Sequence, residues 1–115
     1  MDLKDKKCSV CQGGQPALTM LEKQELFNKL SPHWSMAFEN SRLQRSLKFK
    51  NFQNAMDFAI EIGKIAEQEQ HHPEIHLGWG HCDLELWTHT NNDLTENDFI
   101  LAAKIDEAFK RLKAS

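Results

Sequence analysis

The chain has no tyrosine, and its 115 residues include only three cysteines, no surplus of basic side chains and no long apolar run. Each shortage excludes something. Without tyrosine, proton transfer near neutrality falls to the six histidines, because imidazole both donates and accepts a proton in that range. Three cysteines are an odd count and do not build a disulfide framework. Fourteen basic against seventeen acidic residues give a net charge of −3 and no positive field, so nucleic acid is not an expected partner. The apolar stretches are a few residues each, far below the roughly 20 needed to cross a bilayer, so no membrane partner is expected. The basic opening Met1-Asp2-Leu3-Lys4-Asp5-Lys6-Lys7 is not followed by the apolar segment of a secretory signal, and a cytoplasmic protein is expected.

What remains is the length for one core. Residues 1–18 read as a flexible leader, in which Cys8-x-x-Cys11 lies among Gly13, Gly14 and Pro16. That pair could be half of a zinc site or a redox couple. A structural site needs four ligands, though, and a redox motif needs a strand and a helix on either side, so two exposed thiols are the expectation. Cys82 reads as a small buried apolar group at the start of a strand.

Residues 19–115 form the predicted domain. Thr19 and Glu22 are spaced as a capping box, opening a short peripheral helix that should stop at Leu30, before Ser31-Pro32. Trp34, Met36 and Phe38, and then Leu43, Arg45, Leu47 and Phe49, alternate as two antiparallel strands joined around Glu39-Asn40-Ser41. From Asn51 the helical period returns through Phe52, Ala55, Met56, Ala59, Ile62 and Ala66. Pro73 forces that helix to finish near Gln70 or His71. Ile75, Leu77 and Trp79, then Leu84 and Leu86, predict a second hairpin turning at Gly80-His81. On its second strand Trp87 and His89 fall on the face away from the core. Thr95 and Asp98 then announce a last helix, as N-cap and third helical residue, carrying Phe99, Ala102, Ala103, Ile105, Phe109 and Leu112 inward. The order α-β-β-α-β-β-α predicts an α+β fold of two layers, a four-stranded antiparallel sheet covered on one face by helices. The uncovered face is left as a solvated surface, a ligand platform or a subunit interface.

The richest stretch is Glu67-Gln-Glu-Gln-His71-His72-Pro73, which places two imidazoles at a helix end. With Trp79, His89 and Asp98 at their separations, and Trp34 and Phe49-Lys-Asn-Phe52 upstream, the run closely resembles the signature of the pterin-4a-carbinolamine dehydratases over roughly residues 19 to 113. The resemblance implies a small homodimeric or homotetrameric α+β enzyme that dehydrates 4a-hydroxytetrahydropterin to the quinonoid dihydropterin. Its product would feed recycling of the tetrahydropterin used by aromatic amino acid hydroxylases such as phenylalanine hydroxylase, with the pterin as substrate and no cofactor or metal. By the same resemblance His71, His72 and His89 match the active-site histidines, Pro73 shapes their loop, and Glu67, Trp34 and Asp98 match positions around the pterin.

The chemistry points the same way. Expelling hydroxide from a saturated carbon requires a proton at the leaving oxygen, and the new double bond requires one removed from the adjacent nitrogen. His71 and His89 are the expected acid-base pair, with His72 orienting the pterin. Glu67, four residues before His71, would share its helix face and favour the imidazolium. Each residue also has a plainer reading. His71 and His72 could be dipole partners or cap groups of a helix end, Asp98 no more than a cap, Glu67 a solvated side chain and Trp34 a core residue. His76 and His81 are expected at the surface or in the turn. Two rival functions are a zinc site drawn from the histidines and Cys82, against which adjacent histidines diverge in direction, and a protein-binding module, since the family includes coactivators that stabilise a transcription factor dimer through a helical surface.

Overall fold

A threonine followed three residues later by glutamate starts the first helix in the predicted way. In the computed structural model, which describes residues 2–8 and 17–114, the Thr19 hydroxyl accepts the Glu22 amide at 3.2 Å and the Glu22 carboxylate accepts the Thr19 amide at 2.8 Å. Helix α1 (Met20–Phe27) is shorter than expected, because the amides of Lys29 and Leu30 tighten onto the carbonyls of Leu26 and Phe27 and wind the chain out of the α geometry. Leu30 still reaches the core.

The first hairpin, β1 (Ser35–Ala37) and β2 (Arg42–Lys48), departs from the alternation at Phe38. Phe38, Glu39 and Asn40 all take the left-handed conformation, at φ 51, 57 and 62°, so the turn begins one residue early and Phe38 points outward, 68% exposed. The Ser41 amide returns to the carbonyls of Ala37 and Phe38, and the Lys23 ammonium donates to the Asn40 carbonyl at 2.9 Å. These bonds hold a conformation that three consecutive L-residues otherwise avoid.

Helix α2 (Phe52–Glu69) is capped by Asn51, whose side-chain oxygen accepts the Asn54 amide at 2.8 Å, and it buries Ala55, Phe58, Ile62 and Ala66. The second hairpin is β3 (Glu74–Gly78) and β4 (His81–Leu86). Gly78 pairs with His81, so the turn is Trp79-Gly80 rather than Gly80-His81. Gly80 is the residue it demands: φ is +74°, and a Cβ there would sit 3.2 Å from the Phe49 carbonyl. Helix α3 (Glu96–Ala114) completes the domain.

The strands lie in the order β1-β2-β4-β3, all antiparallel, so the two β-β-α halves meet where β2 pairs with β4. Leu43 and Leu47 of β2 and Cys82, Leu84 and Leu86 of β4 form one core with Phe58, Ile62, Phe99, Ile100, Leu101 and Ile105 of the long helices. Phe49 closes it against Phe58 and Phe109, with centroids 5.3 and 5.9 Å away. This is the expected two-layer α+β arrangement in the expected element order. The opposite face is polar and paired across strands, Gln44 with Glu85 and Ser46 with Asp83 at 2.5 Å each.

The leader differs from expectation where it is described. A short 3₁₀ turn (Leu3–Asp5) buries Leu3 to 5% exposure in the core, and the Lys104 ammonium donates to the Lys4 carbonyl at 2.9 Å. Lys6 pairs with Glu96 at 3.3 Å, the Cys8 amide donates to Glu69 at 2.7 Å, and the Cys8 thiol lies 3.6 Å from the Asn97 carbonyl. Residues 2–8 are therefore a docked strap, not a flexible leader, and Cys8 is half-buried rather than exposed. Cys11 lies outside the described residues. Among those residues no helix is long and apolar enough to cross a membrane.

Candidate active site

Two chain reversals bring the histidines together. At the end of α2, Gln70 adopts the left-handed conformation, φ 54°, and the amides of Gln70 and His71 both return to the Ala66 carbonyl. The Gln70 side chain donates to the Glu67 carbonyl at 2.7 Å, satisfying another helix-end acceptor. This reversal turns His71 inward to 7% exposure and sends His72 out to solvent before Pro73 leads into β3. After β4, Thr88 and Asp93 form an isolated bridge closing a turn that carries His89. His71, His72 and His89 line one open hollow of about 220 Å³ with Gln70, Trp87, Thr88 and Thr90.

The inner ring is anchored from below. His71 Nε2 lies 2.6 Å from Asp98 Oδ1, and Asp98 is fully buried at the start of α3. The other carboxylate oxygen accepts the Thr88 hydroxyl at 2.8 Å and the Thr95 amide at 2.9 Å, while the hydroxyls of Thr88 and Thr95 meet at 2.7 Å. Asp98 thus caps its helix and holds His71 with the same carboxylate. With Oδ2 already taking two donors, the Asp98 carboxylate is an acceptor for an Nε2–H on His71.

Glu67 does not pair with His71 as its four-residue spacing suggested. The left-handed Gln70 rotates His71 away, and Glu67 meets His72 instead, Oε2 to Nε2 at 2.5 Å, with both side chains exposed. Asp98, not Glu67, is the carboxylate in contact with His71. Trp34 takes the core reading: it is 3% exposed, donates its indole N–H to Asp106 at 2.7 Å and is absent from the hollow. Pro73 ends the helix and is not among the lining residues. His89 is exposed at the rim, its ring stacked on Trp87 with centroids 4.4 Å apart and planes 18° off parallel.

Thr88, Trp87, Gln70 and Thr90 were not singled out as site residues from the sequence. Thr88 left a readable signal, a hydroxyl on the inward parity of β4 beside Leu86, where a buried polar group needs a partner. Three larger clefts, about 610, 590 and 390 Å³, lie near Leu3 and Pro32, near Phe49 and Phe109, and near Ile65 and Lys104, and none is lined by a histidine. Among the described residues no three His, Cys, Asp or Glu side chains are grouped so as to hold a metal ion.

Comparison with known proteins places the chain in a family. A protein of Methylococcus capsulatus named for pterin-4-alpha-carbinolamine dehydratase is 47% identical over 102 residues, covering 89% of each chain. One of Rickettsia canadensis named likewise is 50% identical over 104 residues, covering 90% of this chain and 94% of its own. The crystal structure of a "transcriptional coactivator/pterin dehydratase" from Brucella melitensis superposes with a TM-score of 0.75 at 32% identity, over 81% of this chain and 98% of the other. A pterin dehydratase-like RuBisCO assembly factor of the alpha-carboxysome shares the fold alone, with a TM-score of 0.57 at 20% identity over 65% of this chain and 87% of its own. Since residues 16–108 match the family model "Pterin 4 alpha carbinolamine dehydratase", the chain belongs to that family.

Proposed function

We propose that the protein dehydrates a 4a-hydroxytetrahydropterin to the quinonoid dihydropterin, with the pterin as substrate and no cofactor or metal. The observation that carries this reading is the shared hollow, in which imidazoles from the end of α2 and from the turn after β4 face one space. His71 is the base. The Asp98 carboxylate on its Nε2 stabilises the imidazolium that forms when Nδ1 takes the proton from the pterin ring nitrogen. His89, exposed at the rim, is the acid that protonates the departing hydroxyl. As the proton reaches that oxygen, the C–O bond breaks and water leaves. The electron pair freed at the nitrogen completes the new double bond. His72, held by Glu67, orients the heterocycle at the mouth of the hollow.

The family supports a pterin substrate. Recycling of tetrahydropterin beside an aromatic amino acid hydroxylase such as phenylalanine hydroxylase, in a cytoplasmic homodimer or homotetramer built on a single domain, is the setting proposed for it. The experiment follows the ultraviolet absorbance of 4a-carbinolamine with wild type, His71→Ala and His89→Ala. Wild type should speed its decay over buffer, and each replacement should cost about 10²-fold or more in kcat. A wild-type rate equal to that of buffer rejects the enzyme. The Brucella protein's name also includes a coactivator, and a role through protein contacts would survive both replacements.

A further inference from the structure

His71 and His89 are held by different means. His71 is fixed through its Nε2 to a buried carboxylate, whereas neither ring nitrogen of His89 has a hydrogen-bond partner among the described residues. An exposed histidine in a turn samples several rotamers unless its ring is packed. Among the described residues the aromatic ring stacked on this imidazole is the near-parallel indole of Trp87.

Trp87 is itself braced. Leu43 pairs with Leu86, so continuing that register sets Arg42 opposite Trp87 on the open face of the sheet. The Arg42 guanidinium carbon lies 4.4 Å from the centre of the Trp87 ring. Its Nη1 donates to the Ser41 carbonyl at 2.9 Å and to the Ser41 hydroxyl at 3.2 Å, and its Nη2 donates to Asn92 Oδ1 at 2.6 Å. Arg42 therefore joins the end of the first hairpin to the turn that carries His89. The far side of that turn is tied by Asp93, which pairs with Lys23 of α1 at 2.8 Å. Burial would raise the Asp93 carboxyl, but the Lys23 hydrogen bond, the Leu94 amide and the charges of Lys23 and Arg42 outweigh it and hold the group below the usual carboxylate range.

We propose that Trp87, braced by Arg42, is the positioning residue for His89, fixing the imidazole plane by stacking so that both ring nitrogens remain free for proton exchange. This deepens the dehydratase reading and rests on it. Stacking suits a general acid that cycles between protonation states, because it orients the ring without occupying either nitrogen. It differs from the carboxylate anchor of His71, which commits one nitrogen permanently. Arg42 reaches His89 through the indole and through Asn92 in the same turn, and it is absent from the residues lining the hollow.

The test combines rates with a spectroscopic readout that does not depend on activity. Trp87→Leu, Trp87→Phe and Arg42→Met are compared with wild type for kcat and KM on 4a-carbinolamine and for the ring-proton NMR shifts of His89. In wild type those protons should be displaced upfield by the indole ring current. Trp87→Leu should abolish the displacement and lower kcat about tenfold while moving KM less than about twofold, the pattern of lost transition-state positioning. Trp87→Phe should restore most of the rate, and Arg42→Met should fall between. In a His89→Ala background Trp87→Leu should cost nothing further. Unshifted His89 protons in wild type would overturn the proposal. So would an undiminished loss in the His89→Ala background, or a change confined to KM, since either means that Trp87 acts on the pterin directly. A wild type with no activity rejects the dehydratase, while the NMR arm still decides whether Trp87 orients His89.

Discussion

Asp98 is the residue on which most of the site turns. Its carboxylate accepts from the Thr88 hydroxyl and the Thr95 amide and lies against His71 Nε2, so one fully buried group joins a helix start, a strand end and an imidazole. Asp98→Asn keeps the volume but presents an amide donor toward groups that already donate. The expected outcome is a loss of kcat of about 10²-fold or more, because neither the tautomer nor the imidazolium of His71 is then supported. Stability should fall by about 1–3 kcal/mol from the frustrated buried hydrogen bonds. Steady-state rates and urea unfolding check the two separately. A variant that loses stability but keeps wild-type kcat would limit Asp98 to capping.

At the scale of elements, a second carboxylate joins helix and sheet. Asp106 of α3 accepts the Trp34 indole N–H at 2.7 Å, the Ser31 amide at 3.1 Å and the buried Arg45 guanidinium of β2. Asp106→Ala leaves a buried cation without its counter-charge and should cost about 3–5 kcal/mol, read as a lowered urea midpoint. The double replacement Arg45→Met with Asp106→Leu should recover most of that loss, because apolar groups need no partner. Failure to recover would mean that Trp34 and Ser31 carry the energy instead.

The elements themselves were legible in the sequence wherever period and caps agreed. Thr19 with Glu22, the 3.6-residue stripe from Ala55 to Ala66 (its expected first member, Phe52, is exposed), the stop before Pro73 and the inward Leu84 and Leu86 stand as read. Boundaries set by backbone bonding were not legible. Nothing in the type of Phe38, Glu39 or Gln70 announces a left-handed conformation, which the bonds of Ser41 and Lys23 around the first turn and of Gln70 to Ala66 and Glu67 at the helix end hold in place. That same conformation at Gln70 is why Glu67 reached His72 rather than His71. Trp34 shows the limit of alternation, which could not say whether an aromatic meets a ligand or the core. The docking of Leu3 and Cys8 was hidden because short polar segments gain their stability only from contacts made after folding.

Across the whole molecule the strap of residues 2–8 spans the ends of α2 and α3, the two helices that hold His71 and Asp98. Burial, reinforced by the Glu69 carboxylate, pushes the Cys8 thiol up to about 12 from 9.0, and burial with Asp83 pushes Cys82 up to about 11. A thiol whose pKa is raised on folding stabilises the native state fully below the unfolded value, and that stability is lost as pH rises toward the folded value. The melting temperature should therefore decline between about pH 9 and 11, and the decline should be shallower in Cys8→Ala with Cys82→Ala. Equal slopes in the two proteins would assign the loss to other groups.

The central claim is that imidazoles from the end of α2 and from the turn after β4 serve one bound pterin. The most direct measurement is a titration of the full chain with a dihydropterin, following the ring resonances of His71, His72 and His89 by NMR. The account predicts that all three move along one binding curve with a common dissociation constant, while His76 and His81, which lie outside the hollow, stay in place. Resonances of His71 and His89 that move with different dissociation constants, or that do not respond to a pterin that binds, would contradict it.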